Sequence, residues 1–319
     1  MVTNASMRQD DSGPDTTPVT ALPDEAVIQD ADRASRNWRG DETGDVPLGS
    51  EAHKRLFSRL LLDTYNPYKP AIIEWPKLSD AERDRLVKLP IWDIAVQTEG
   101  KARMRMLGYA ETVADPLVRK ALELNGFEEG RHKEVLAHMV AAYGIVLEPE
   151  PEYLKPRDTE WSYMRTGFSE CIDSFFAFGL FELARQSGFF PPALVATFEP
   201  VMQEECRHIL FFSNWVAWHR RNLPLWKRPI FAFRVLTVWA ALVWERLKTA
   251  RDVGGGDNFT ASGHEAMGFD ADFKDLMAVC LSENERRMRG YDQRLVRPAV
   301  MPLLARTVLR FTGRRAQPA

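Results

Sequence analysis

Two short strings in the chain nearly repeat each other: Phe127-Glu128-Glu129-Gly130-Arg131-His132 and Gln203-Glu204-Glu205-Cys206-Arg207-His208. Each contains Glu-x-x-His. Residues three apart on a helix share a face, so each string can offer a carboxylate and an imidazole to one point in space. A lone Glu-x-x-His is ordinarily a surface pair, but two copies with matched flanks can form half of a dinuclear metal site held between helices. The other half lies upstream. Thr98-Glu99-Gly100 is followed by Gly108 and Glu111, and Ser169-Glu170-Cys171 by Gly179 and Glu182. In both stretches Gly comes nine residues and Glu twelve residues after the first Glu. From Glu99 to Glu129 is thirty residues and from Glu170 to Glu205 thirty-five, the difference fitting a longer turn around Gly188 to Pro192. One helical hairpin is written twice.

Two such hairpins facing each other would place Glu99, Glu129, His132, Glu170, Glu205 and His208 at one level of a helix-bundle core. Four buried carboxylates without cations would be very costly or would take up protons. Two divalent metals neutralise them. A mixed oxygen and nitrogen donor set suits two iron ions, or iron with manganese, better than zinc, whose structural sites close at four ligands. Asp173, one turn beyond Glu170, competes for the place of Glu170 and otherwise stands beside the ligands. Glu128 and Glu204 precede the ligand glutamates and point roughly a quarter-turn away. They are expected to accept from the ring N–H of a ligand histidine on the facing hairpin, which fixes its tautomer. Arg131 and Arg207 would pair with those carboxylates; simple structural ion pairs are the alternative for all four. Glu111 and Glu182 lie about three turns from the ligands and belong to packing or a channel mouth. Cys171 and Cys206 fill small core spaces.

Aromatic residues crowd the same helices: Phe175, Phe176, Phe178, Phe181 and Phe189-Phe190 after Glu170, then Phe211, Phe212, Trp215 and Trp218 after His208. They make either plain core or a hydrophobic pocket beside the metals. In the second case Phe175, Phe176, Phe178 and Phe211 are its expected walls.

The elements that must carry these residues are helical, and strand-like alternation is absent after residue 50. Short leading helices are expected over Ser50 to Thr64 and Ser79 to Leu89, the second opened by Ser79 with Glu82 in a capping box. Long helices are expected from Ile91 to Val113, from Asp115-Pro116 to Tyr143, from Asp158 or Thr159 to Gln186, and from Pro191-Pro192 to near Pro224. The proline-containing stretch Val146 to Arg157 is the crossover between hairpins. A fifth segment, Ile230 to Leu247, is apolar nearly all round. Broken by Arg234, it is short for a membrane span and reads as a buried helix, with an interfacial helix as the alternative. Gly254-Gly255-Gly256 marks a break before the last helices.

The doubled Glu-Glu-x-Arg-His resembles the oxygen-activating branch of the ferritin-like di-iron carboxylate superfamily: acyl-carrier-protein desaturases, bacterial multicomponent monooxygenases and ribonucleotide reductase small subunits. The resemblance covers Ile91 to Asn222. It implies an all-α, ferritin-like four-helix bundle with extra N- and C-terminal helices. It also implies a non-haem di-iron centre that activates dioxygen to hydroxylate, desaturate or otherwise oxidise an apolar, small-molecule or lipid-like substrate, with electrons from a separate donor protein. The metal ligands carried over are the six already named. A ferritin- or rubrerythrin-like protein that oxidises iron or scavenges peroxide is the alternative; those relatives lack the Arg-His pairing in this form.

Composition limits the rest. A net charge of −3 argues against a nucleic-acid partner, and three cysteines fit a reducing, cytoplasmic setting. Residues 1–46 carry ten acidic and four basic side chains with few large apolar ones, and are expected to be disordered. Residues 47–253 would hold the metal-binding bundle and 257–319 a basic helical extension. From Arg286 onward there are nine arginines and one acid, Asp292. That extension is expected to cap the bundle with its arginines in water, or to touch an anionic membrane surface.

Overall fold

The structure is a computed structural model that describes residues 13–70, 73–89, 91–251 and 273–313, with the side chains of 249–251 and 312–313 left aside. The chain is all-α. Ten helices form among the described residues: α1 (Glu25–Arg36), α2 (Glu51–Asp63), α3 (Asp80–Val87), α4 (Trp92–Ala110), α5 (Pro116–Ala142), α6 (Thr159–Ser187), α7 (Pro192–Asn222), α8 (Lys227–Arg251), α9 (Phe273–Met288) and α10 (Val300–Gly313). The described backbone has no strand, only an isolated bridge between Trp38 and Tyr291.

Local chemistry sets the helix ends. Ser50 Oγ accepts from the His53 N–H and opens α2. Ser79 and Glu82 form a reciprocal capping box on α3. Asp115 accepts from the Leu117 and Val118 N–H groups ahead of Pro116, and Asp158 from that of Trp161. Each satisfies donors that a helix start leaves open. Gly188 closes α6 at φ +66°, a left-handed turn that glycine enters without a Cβ penalty.

The four long helices that carry the sequence repeat pack in pairs. α4 lies along α5, α6 along α7, and α4 crosses to α6. α2 lies against both α5 and α7. Around α2 and the far ends of α4, α6 and α7 the largest core forms from Phe57, Leu61, Tyr109, Tyr163, Phe211 and Trp215, all buried. α9 runs along α6, where Gly179 makes the approach possible: a Cβ there would stand 2.3 Å from Cys280 Sγ. Its counterpart in the repeat, Gly108, would meet only Lys155 Cγ at an ordinary 3.4 Å.

Three expectations change. Residues 25–46 are folded. α1 is tied to α7 by Arg36–Glu199 at 2.9 Å, Glu199 being held in turn by Arg287 of α9, and Asp292 accepts from the Gly40 N–H at 3.1 Å. The segment is poor in apolar area, and distant charged partners order it instead; residues 1–12 lie outside the description. The C-terminal arginines divide: Arg286, Arg289, Arg306 and Arg310 are exposed, as expected of a cap, and three others make internal contacts. Arg287 is buried and doubly bonded to Glu199, Arg294 grips Asp292 and the Gly40 and Gly44 carbonyls, and Arg297 donates to the Leu295 and Tyr291 carbonyls. Arg314 and Arg315 lie outside the described residues, as does the Gly254-Gly255-Gly256 break. Finally, α8 is not buried: Ile230, Phe233, Leu236, Val243, Trp244 and Leu247 are all exposed. No described helix is long and apolar enough to cross a membrane.

Candidate metal centre

The doubled motif delivers its side chains to one place. Glu99 from α4, Glu129 and His132 from α5 and Glu205 from α7 each offer a ligand atom, all within 4.8 Å of one another. His132 Nδ1 stands 3.0 Å from Glu205 Oε1 and 3.8 Å from Glu99 Oε2. On the other side His208 Nδ1 stands 3.0 Å from Glu129 Oε1 and 4.0 Å from Glu205 Oε2. The two imidazole rings are 5.6 Å apart. Glu129 and Glu205 thus lie between the two histidines. Glu170 lies in the wall of the same cavity, where the charges of Glu129, Glu205 and His208 act on it.

The tautomers follow from the outer partners. Each Nε2–H donates to a carboxylate of the facing helix, His132 to Glu204 Oε2 and His208 to Glu128 Oε2, both at 2.8 Å. Each Nδ1 therefore presents a lone pair to the glutamates. His132 Nδ1, His208 Nδ1 and Glu170 Oε1 are buried and make no hydrogen bond. Lone pairs 3.0 Å from carboxylate oxygens repel unless a cation or a proton lies between. Two donors on one ion, each at about 2.1 Å and at right angles, are separated by about 3 Å. The donor set could hold a metal ion, and positive charge there would offset Glu99, Glu129, Glu170 and Glu205.

The support around the ligands is crosswise. Glu128 on α5 receives His208 and, at 2.6 Å, Arg207, both on α7. Glu204 on α7 receives His132 and Arg131, both on α5. All four charged groups are buried, and two arginines cancel two glutamates. The arginines also reach the end of α2: Arg131 Nη1 donates to the Asn66 carbonyl at 2.9 Å and Arg207 Nη1 to Thr64 Oγ1 at 3.1 Å. A helix C-terminus leaves carbonyls open and carries partial negative charge, so cations settle there.

Charge inside the cluster shows in the acid–base behaviour. Burial, then the neighbouring Glu129 and Glu205, push Glu99 and Glu170 well above the carboxylate range. Burial acts the same way on Glu128, but Arg207 and His208 outweigh it and hold Glu128 well below that range. His132 and His208 are raised: burial opposes their charge, and the glutamates around each ring overcome it. Without metal, protons are the cations of this site.

A cavity of about 710 Å³ reaches the ligands, with Glu99, Glu129, His132, Glu170 and Glu205 in its wall. Its α6 side is one helical stripe: Thr166, Glu170, Asp173, Ala177, Phe181 and Ala184. The expected walls Phe175, Phe176, Phe178 and Phe211 are not on it. Phe175 and Phe176 pack towards α9 and α10 with Met277 and Ala305, Phe178 lies under the Arg287 guanidinium at 5.1 Å, and Phe211 meets Phe57 edge-on at 5.5 Å. Phe175, Phe176 and Phe178 sit off the stripe by helical phase and late helices cover the face they occupy, whereas Phe211 on α7 is covered by α2. The aromatics of the cavity are Trp92, Phe181, Phe190 and Phe198. Asp173 is in the wall but bonds Ser169 and, at 2.8 Å, Arg246 of α8; it contacts neither histidine. Glu111 pairs with Lys155 and Glu182 with Arg185, away from the cavity. Burial raises both motif cysteines, Cys206 to about 12.

Sequence reasoning missed Asn125, whose Nδ2 donates to Glu129 Oε1 at 3.2 Å inside the core. Its place four residues before a ligand on one helix face is the signal that could have found it. Thr64 and Asn66 carried none. Comparison of the chain with known protein families, characterised proteins and solved structures gives no match.

Proposed function

We propose that this protein is a ferritin-like, non-haem di-iron (or iron–manganese) oxidoreductase that activates dioxygen to oxidise an apolar substrate. The observation that carries the reading is the conjunction of the Glu4His2 donor cluster, with its unpartnered buried Nδ1 atoms, and a substrate-sized cavity opening onto it. Small-molecule sites span roughly 300–1,000 Å³ and are mostly apolar, and this cavity falls within that range.

In this reading Glu99, Glu129, His132, Glu170, Glu205 and His208 would hold the metals. The bound metals would supply dioxygen binding and electron transfer to it. The chain's own residues do the rest. Glu128 and Glu204 keep each histidine in its Nε2–H form, so Nδ1 stays a donor to metal. Leu89, Val135, Met139 and Leu194 line the dry part of the cavity and seat an apolar body next to the ligands. Arg105, Arg165 and Arg246 give the opposite wall its polarity. Electrons come from a separate donor protein.

The test is metal loading followed by oxygen exposure. Anaerobic reconstitution with ferrous iron is expected to bind about two ions per chain, and the reduced protein to consume oxygen in proportion to its sites. Binding of less than about one ion per chain would overturn the proposal. Rapid oxidation of excess ferrous iron without substrate would move the assignment to a ferritin-like iron oxidase.

A further inference from the structure

α8 is the element the metal chemistry does not absorb. One face packs on α6 and α7: Phe231, Val238 and Leu242 are buried, Trp239 meets Phe168 at 5.2 Å, and Arg165–Glu245 and Arg246–Asp173 bridge α8 to α6. The opposite face carries Trp226 just before the helix, then Ile230, Phe233, Leu236, Val243, Trp244 and Leu247. All are at least half exposed, Phe233 by 64% and Trp244 by 66%. Their spacing of three and four residues, with Ala240 in the gap, puts them on one continuous stripe. A row of seven large apolar side chains is more than the scattered exposure of an ordinary surface.

We propose that this face of α8 docks the protein on an anionic lipid surface, the helix lying in the plane of the interface. Charge favours lipid over a second copy. Between Arg220 and Lys248 the chain has seven basic residues and one acid, Glu245; Glu245 pairs with Arg165, Arg234 with Asp158 and Glu160, and Arg246 with Asp173. Arg220, Lys227 and Lys248 are exposed near the two ends of the apolar row, and Lys227 Nζ lies 5.1 Å over the Trp226 ring. A two-fold contact between copies would set cations against cations, whereas acidic headgroups pair with them. Tryptophans near both ends, apolar residues between and basic flanks are the pattern of a helix that lies on a membrane; none of the described helices can cross one.

The cavity lies directly behind this face. Leu242, Glu245 and Arg246 of α8 are in its wall, and the Glu245 and Asp173 side chains are 45% and 40% exposed. An apolar substrate would pass from the bilayer along α8 to the ligands; this second clause rests on the proposed function, while the docking does not.

The experiment uses the full-length protein and vesicles of phosphatidylcholine, with or without about one third phosphatidylglycerol. Co-sedimentation with the phosphatidylglycerol vesicles is expected, along with a blue shift of tryptophan emission and loss of binding as salt rises. Phe233→Glu and Trp244→Glu, both at exposed positions, are expected to weaken vesicle binding at least about tenfold with unchanged helical content and metal content. Wild-type protein that stays in the supernatant would overturn the proposal, as would variants that bind like wild type. So would equal binding to both kinds of vesicle, or a dimer that the same substitutions dissociate. Metal loading plays no part in this readout, so a failed di-iron assignment and a failed docking surface are distinguishable.

Discussion

Each ligand residue has a role that can be removed alone. Glu129 lies between the two histidines, so Glu129→Ala takes a donor from both halves of the centre. Metal analysis after reconstitution is expected to fall from about two ions per chain to fewer than one, with helical content retained. Glu204→Gln leaves all six ligands in place but removes the charge that holds His132 and Arg131. Metal affinity in a chelator competition is expected to drop about 10- to 100-fold, and Glu128→Gln, the same change across the repeat, should match it. The convergence of Glu129, His132, Glu205 and His208 was legible in the sequence because a motif fixes its own geometry: Glu and His three apart on a helix face one way wherever the helix goes. Asp173 was not legible in that sense, because its partner Arg246 belongs to a helix seventy-three residues later.

Apart from α1, which lies in a stretch expected to be disordered, helices, their ends and their order were equally legible, since caps and breakers act within a few residues. What α6 faces was not. Its aromatic residues could line a pocket or fill a core, and the answer came from α9 and α10, which cover the side of Phe175 and Phe178 a hundred residues downstream. Two substitutions separate the two faces of α6. Ala177→Trp on the cavity stripe is expected to leave metal content and stability near wild type while abolishing oxidation of, or binding by, an apolar probe. Phe178→Ala on the covered face is expected to cost about 3–5 kcal/mol in denaturant unfolding with the centre unchanged. The repeat glycines also part ways. Gly179→Val drives a side chain into Cys280 and should cost about 1–3 kcal/mol, whereas Gly108→Ala meets open packing and should be neutral or stabilise by up to about 1 kcal/mol.

Across the whole molecule, the ends of the described chain meet. Glu199 of α7 binds Arg36 from α1 and Arg287 from α9, and Asp292 joins Arg294 to Gly40. Burial would raise Glu199, but Arg287 and Arg36 outweigh it and hold it below the usual carboxylate value. A depressed carboxylate stabilises the fold above its unfolded value, and that contribution is lost as pH falls through the lower folded value. The thermal midpoint of the wild type is therefore expected to decline more steeply below about pH 4.5 than that of Glu199→Gln, which should already have lost about 1–3 kcal/mol at neutral pH. An acidic, apolar-poor N-terminus looked unable to fold because composition records only what a segment can bury by itself. It says nothing of arginines 250 residues away.

The exchange between Glu128 and Glu204 has one more consequence. Neither half of the duplication owns its own histidine: the hydrogen bond that orients His132 is supplied by the second hairpin, and the one that orients His208 by the first. A fragment ending before residue 150 would contain a complete Glu-x-x-His and still lack the group that aims it. The two halves are interlocked in the manner of a key split between two holders, and the centre exists only once both have docked. If the proposed centre takes up metal, that uptake would report on assembly, appearing at the same denaturant concentration as the contact between α5 and α7 and not before.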